Sequence, residues 1–390
     1  MNKTYASSKQ ILLPLQGLRA LAFISIFLSH TNVRVFAYSG LGVWGVSVFL
    51  ILSGFLMMVN YYQSDRITDC SMKGNFKFSI RKLSKFYPLH IVMMLSAIPF
   101  EIKTIVTDSG EGLLHSWIAL LSKVLLNITV TQSFVPYSDI YYSLNAVSWY
   151  LSVCLLTYFC FPWILRYFEG HMSLRKAKLL MPVLLVLQIV LCWLSSKVNI
   201  TVSDGFTKWF TYNFPVMRMI DFLFGCLLGY VYLRQRDNNG QSNNIPGILN
   251  HKNAVDAALI INLVIIIAAL VVYSVANPAD NPLSHPELWW RYSCLFTLLN
   301  GFLIYLLAAD CGIICRILSA KGILFIGGIS STAFLIHQMI IRYTNVLWDH
   351  MSVSNSLLKL ICSIFIPFVL TIAACMIWNR ISHGRSKNAA

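Results

Sequence analysis

The sequence predicts an all-α fold: a polytopic bundle of about ten transmembrane helices, with one further interfacial or re-entrant segment. Three observations carry that reading. Of 390 residues, 57% are hydrophobic and only 12% charged, against about a quarter charged in a soluble domain. Mean hydropathy is +0.66, and the apolar residues gather in runs of about 20, the length that crosses roughly 30 Å of hydrocarbon. The net charge of +15 sits mostly between those runs. That is the positive-inside pattern of a membrane protein, and nucleic acid is not an expected partner.

The apolar runs fall at 14–33, 41–62, 87–106, 113–135, 145–165, 179–196, 214–233, 254–275, 289–310, 322–341 and 356–378. Charge decides which of them cross. With the N-terminus inside, the first three leave Arg66, Lys73, Lys77, Arg81, Lys82 and Lys85 in the cytoplasm, and Asp108 and Glu111 outside. Were 113–135 to cross as well, Arg166, Arg175, Lys176, Lys178 and every later basic segment would change sides. That run also holds His115, Lys123, Asn127 and Gln132, which are costly on a lipid-facing span. It is therefore expected to lie along the outer face or dip into it. Segments 166–178, 234–253 and 311–321 are then inside with Arg380, Arg385 and Lys387, and both termini are cytoplasmic.

Arg19 interrupts the first apolar stretch and no small-x-small site follows it, so a cleavable signal is not expected there. No internal repeat is evident, and no segment between runs is long enough for a soluble domain. Residues 1–390 read as one transmembrane domain. Most of the ten cysteines lie inside apolar runs, where a thiol behaves as a small hydrophobe. Cys311 and Cys315 have no histidine beside them, and no metal site is expected.

Chemistry is sought where the bilayer should not tolerate polarity, since an ionisable group at mid-membrane costs about 2.5–3.5 kcal/mol on the lenient scale. Arg19 and His30 are eleven residues apart, which on a helix puts them within about 20° of one face and about 16 Å apart along the axis. Arg81, Lys82 and Lys85 crowd the entrance of the third run, where cations suit phosphate groups. Arg218 and Asp221, three apart, can pair on one helix. Asn145 and Trp149 open the fifth run, and Ser330 and His337 lie in the tenth. Ser53-Gly54-Phe55 in the second run lets a neighbouring backbone approach. Each has a plainer reading as well: snorkelling, topology determinants, an intrahelical pair, an interfacial belt or helix packing.

Together these pieces resemble the acyltransferase-3 family of multi-pass bacterial membrane acyltransferases, over about residues 15–341. Arg19 and His30 resemble its Arg-x10-His signature, and Val48-Phe49-Leu50-Ile51-Leu52-Ser53-Gly54-Phe55 its second-helix stretch. Arg81-Lys82-x-x-Lys85-x-x-Pro88 resembles its Arg-Arg-x-x-Arg-x-x-Pro block, with lysines at two positions. Arg218-x-x-Asp221-Phe222-x-x-Gly225 and Gly328-Ile329-Ser330 through His337 resemble two later blocks. One departure stands out. Many members read Trp-Ser-Leu-Ser-x-Glu where this chain has Trp149-Tyr150-Leu151-Ser152-Val153-Cys154, so no role of that acid carries over. The chain also ends without the hydrolase-like domain that some members append, and is expected to act as a stand-alone unit.

The resemblance implies an O-acyltransferase of the bacterial inner membrane. It would move an acyl group, usually acetyl, from acyl-CoA to a hydroxyl of a surface polysaccharide, lipopolysaccharide (O-antigen) or lipid-linked saccharide. Acyl-CoA would be the donor substrate and no cofactor would be tightly bound. In that picture Arg81, Lys82 and Lys85 meet the CoA phosphates, Arg19 holds the pyrophosphate or pantetheine part, and His30 is base or transient acyl carrier. Ser53, Asn145, Trp149, Arg218, Asp221, Ser330 and His337 are candidates to hold substrate or stabilise the oxyanion. The rival expectation is a glycan or lipid transporter or flippase, whose pathway the same polar residues would line.

Overall fold

The computed structural model describes residues 12–31, 33–37, 39–107, 112–198, 205–238, 252–276, 286–351 and 356–388. Asp108, Glu111 and most of segment 234–253 therefore lie outside the described residues. Every regular element among the described residues is helical, so the chain is the predicted polytopic helical bundle.

The principal helices are α1 (Leu13–Ser29), α2 (Leu41–Tyr61), α3 (Met72–Leu83), α4 (Tyr87–Thr107), α5 (Leu113–Ile128), α6 (Trp149–His171) and α7 (Leu174–Lys197). They continue with α8 (Pro215–Asn238), α9 (Lys252–Ala276), α10 (Pro286–Leu307), α11 (Gly312–Leu318), α12 (Lys321–Met351) and α13 (Ser356–Asn388). Among the described residues, α2, α4, α6, α7, α8, α9, α12 and α13 are long and apolar enough to cross a membrane. The pair Ser293–Leu307 and Gly312–Leu318, bent by 94°, adds a ninth span if taken as one. Eight or nine spans among the described residues are roughly what the expectation of about ten requires; α1, whose 17 residues cover about 25 Å, is a shorter apolar helix. Pro14 sits in its first turn, where the missing N–H costs nothing.

One difference from the sequence reading has a clear cause, and the run expected not to cross is absent from the candidate spans. The basic entrance to the third run is not a loop but α3, a 12-residue helix. Ser71 caps it by accepting the Gly74 N–H at 3.1 Å. Its buried face, Phe78 and Ser79, docks on α6: Phe78 stacks on Phe161 and the Ser79 hydroxyl donates to the Leu155 carbonyl at 2.8 Å. The doubtful run 113–135 yields α5, 16 residues long, which folds back antiparallel on α4. The Lys123–Glu101 ion pair at 3.2 Å and the Tyr87 hydroxyl on the Ile128 carbonyl at 2.9 Å fix that register. Its polar residues enter a buried network. Asn127 donates to Ser143 and accepts from Ser148, and Gln132 bonds both Ser148 and Ser152.

The central crossing is α2 against α8, and glycine permits it. A Cβ on Gly54 would stand 2.0 Å from the Phe222 carbonyl oxygen, and one on Gly225 would stand 2.0 Å from that of Ile51. Two helix backbones in contact cannot accommodate either methyl. On the other side α1 runs parallel to α12. Gln16 donates to the Leu324 carbonyl at 2.9 Å and Arg19 to the Ser331 hydroxyl at 2.6 Å. Further along, His30 meets His337.

Candidate active site

Two chambers are stacked along the bundle, and the same four helices wall both. The first, about 460 Å³, is lined by Arg19 of α1, Phe49 to Asn60 of α2, Tyr150, Cys154 and Tyr158 of α6, and Ser331, Phe334 and Leu335 of α12, with Lys82 of α3, Lys85 and Arg66 at its edge. The second, about 310 Å³, is lined by Ile26, Ser29 and His30 of α1, Gly42 to Val46 of α2, Trp149 at the start of α6, and Phe334 and Gln338 of α12. α2 and α6 run opposite to α1 and α12, so the early part of one pair faces the late part of the other. Phe334 belongs to both chambers. Its ring packs on Tyr150 at 5.3 Å and on Phe49 at 6.1 Å between centroids, making an aromatic wall between them.

The basic chamber collects part of the predicted cationic cluster. Lys82 and Lys85 line it, and the Lys82 ammonium lies 4.6 Å from the Tyr61 ring centroid. Arg81 is exposed and does not line it; its guanidinium lies over Phe78, 5.7 Å from the centroid. On α3 Arg81 and Lys82 diverge by about 100°, so the two cannot face one chamber together; Lys85 follows in the turn after the helix. Ser53 lines this chamber, as does Cys154, with Tyr150 and Tyr158 beside it on the same helix. Cys154, the departure noted in the sequence, is thus a chamber wall. Sequence reasoning missed Tyr158 and Arg66. The repeat Tyr150, Cys154, Tyr158 at four-residue spacing on an apolar helix was the available signal; for Arg66 there was none beyond its charge.

His30 lines the second chamber and not the first. Its Nδ1 lies 2.8 Å from the Ile26 carbonyl and 3.4 Å from His337 Nε2. A ring nitrogen facing a carbonyl must carry the proton, so His30 is the Nδ1–H tautomer and its Nε2 holds the lone pair. By the same argument His337, with Nδ1 at 2.8 Å from the Phe334 carbonyl, presents an accepting Nε2 to His30. Trp149 also lines this chamber, its ring 5.0 Å from Tyr212. Asn145 does not; it tethers the start of α6 by donating to the Leu335 carbonyl at 3.0 Å, while Gln338 accepts the Val147 N–H at 3.1 Å.

The remaining candidates lie elsewhere. Arg218 and Asp221 are fully buried and 3.0 Å apart, and line neither chamber. Asp221 also accepts from Thr297 of α10 at 2.5 Å and from Gln188 of α7 at 3.3 Å, so the pair ties three helices together. The Arg218 guanidinium reaches the second chamber over the Tyr212 ring, 5.8 Å from the centroid. The Ser330 hydroxyl donates to the Gly327 carbonyl of its own helix at 2.8 Å.

Comparison with known proteins follows this geometry. The model of a family described as an acyltransferase domain matches residues 14–379, further toward the C-terminus than the motifs alone reach. "Acyltransferase MdmB" of Streptomyces mycarofaciens is 30% identical over 161 residues, 38% of each chain. The alignment thus spans well under half of that relative. No solved structure matches. With nearly the whole chain matched and Arg19, His30, Lys82 and Lys85 arranged around two adjoining chambers, this multi-pass membrane protein belongs to the acyltransferase family.

Proposed function

We propose that the chain is an acyl-CoA-dependent O-acyltransferase that takes its donor from the cytoplasm and its acceptor from the opposite face of the bacterial inner membrane. The acyl group would be acetyl and the acceptor a hydroxyl of a surface polysaccharide, lipopolysaccharide or lipid-linked saccharide. The observation that carries this reading is the pair of chambers, one cationic and one containing an imidazole, that share Phe334. Arg166, Arg175, Arg234, Lys252, Lys321 and Arg380 belong to helix ends lying toward the basic chamber, which supports a cytoplasmic face there.

In this mechanism the CoA phosphates rest on Lys82, Lys85 and Arg66, and the pantetheine arm runs past Arg19 toward Phe334. An acceptor hydroxyl in the second chamber gives its proton to His30 Nε2 as its oxygen attacks the thioester carbonyl. The C–O bond forms, the C–S bond breaks, and the CoA thiolate takes the proton back from the imidazolium. The Trp149 indole N–H and the Gln338 amide are the donors placed for the developing oxyanion. His30 stands across the aromatic wall from the cations, so the acyl group has to pass the Phe334 ring.

The test is radiolabelled acetyl-CoA with purified protein and a glycan acceptor. Transfer that is lost in His30→Ala supports the proposal. Normal turnover in that variant removes His30 from the mechanism, and glycan movement without thioester consumption replaces the enzyme with a transporter.

A further inference from the structure

Helix α3 carries three rows of side chains, and only one of them is docked in the bundle. Residues four apart on a helix line up in a row, and the row one position further along stands about 100° away. Asn75, Phe78, Ser79 and Leu83 form the buried face. Met72, Phe76 and Ile80 form a second row, 64%, 57% and 45% exposed. Lys73, Lys77 and Arg81 form a third row, exposed beside it. The helix contains neither Asp nor Glu. Asp69, in the turn before it, accepts the Ser71 N–H at 2.9 Å and lies near Lys77, which leaves the basic row with an excess of positive charge. A second observation bears on where this helix sits. Trp163 and Tyr167, one turn apart on α6, are both exposed, and the Trp163 indole donates to the Cys70 carbonyl at 2.8 Å, just before α3 begins. Exposed Trp and Tyr on a spanning helix gather at the headgroup level.

We propose that the two exposed rows of α3 form a binding site for anionic phospholipid of the leaflet beside the basic chamber. Lys73, Lys77 and Arg81 meet the headgroup phosphates, and Met72, Phe76 and Ile80 rest among the acyl chains. An apolar row flanked by a basic one is the arrangement of a helix held in a membrane surface, and twelve residues, about 18 Å, are too few to cross. Charge selects the lipid, because cations near a bilayer surface favour anionic headgroups. A soluble phosphate compound would satisfy the cations and leave three large apolar side chains in water. Lys82, on the same helix, turns instead to the basic chamber, so one short element meets lipid on one side and walls a cavity on the other. This inference stands apart from the acyl-transfer reading and survives without it.

The experiment is native mass spectrometry of the full-length protein in detergent, titrated with dioleoylphosphatidylglycerol and with dioleoylphosphatidylcholine. The two lipids share their acyl chains and differ in headgroup charge. The anionic lipid binds about tenfold more tightly, since each cation near an anionic headgroup is worth roughly fivefold and Asp69 offsets part of the sum. Combined Lys73→Gln, Lys77→Gln and Arg81→Gln erases the preference, and combined Lys73→Arg and Lys77→Arg keeps it. Phe76→Ser with Ile80→Ser weakens both lipids alike. Arg175→Gln, Lys176→Gln and Lys178→Gln, which remove three cations from a basic stretch elsewhere, leave the preference intact. Circular dichroism matching the parent's verifies the fold of each variant. Equal binding of the two lipids, a preference that survives the α3 triple substitution, or an equal loss from both triple substitutions overturns the proposal. Displacement of the anionic lipid by CoA or by inorganic phosphate overturns it as well, because the cations would then belong to a soluble ligand.

Discussion

His337 Nε2 faces His30 Nδ1 across 3.4 Å, while His337 Nδ1 is anchored on the carbonyl of Phe334. One histidine thus orients the other, and the anchor lies on the residue that walls both chambers. Replacing His30 by Ala lowers turnover by about 10²–10⁴-fold, the usual contribution of a general base. His337→Ala lowers kcat by about tenfold with the acyl-CoA KM unchanged, and His337→Gln, which restores an acceptor, recovers part of it. Steady-state kinetics on the three variants checks this; a pure KM effect at His337 contradicts it.

Phe334 separates the cationic chamber from the one containing His30. Phe334→Ala opens that wall to water, so acetyl-CoA hydrolysis without acceptor rises about tenfold or more while CoA binding is kept. Phe334→Trp reduces transfer without weakening CoA. Thiol release measured with and without acceptor separates the two effects.

The cations are not equivalent. Lys82 and Lys85 line the basic chamber and Arg81 does not. Combined Lys82→Ala and Lys85→Ala raises the acyl-CoA KM by about tenfold or more, whereas Arg81→Ala stays within about twofold. Initial rates against acyl-CoA concentration decide it, and equal effects from all three would make the cluster a topology signal alone.

Cys154 borders the same chamber. A small methanethiosulfonate reagent labels it slowly, because the thiol is buried, and saturating CoA protects it. Mass spectrometry of the peptide reports the extent. Labelling that ignores CoA contradicts the assignment of this chamber to the donor.

Gly54 and Gly225 test the central crossing. Gly54→Ala places a methyl 2.0 Å from the Phe222 carbonyl oxygen, and overpacking of this kind costs about 1–3 kcal/mol. Thermal unfolding in detergent should show a lower Tm for each variant. The two losses should not add, because one separation of α2 from α8 relieves both clashes.

Hydropathy and charge placement made most of the fold legible, since they report directly which residues meet lipid and which meet water. They failed at α3, where Ser71, Phe78 and Ser79 make a short amphipathic helix inside a segment too basic to register as apolar. Of the chamber-lining residues, Arg19, His30, Lys82, Lys85 and Ser53 could be picked out because each is polar in, or at the mouth of, an apolar run. The shared wall could not. Phe334 is one of 24 phenylalanines, and only the crossing of α1, α2, α6 and α12 sets it apart. Conversely, the conspicuous Arg218–Asp221 pair is absorbed in holding helices together, because a buried charge pair serves packing as readily as chemistry.

The Phe334 ring also implies something about traffic. If each substrate enters and leaves by its own end, neither the nucleotide carrier nor the saccharide ever changes compartment. On the proposed reading, what crosses is a group of a few atoms, passed from sulfur to oxygen beside that ring. Such a protein needs no ion gradient and no rocking halves, because breaking the thioester drives the crossing by itself.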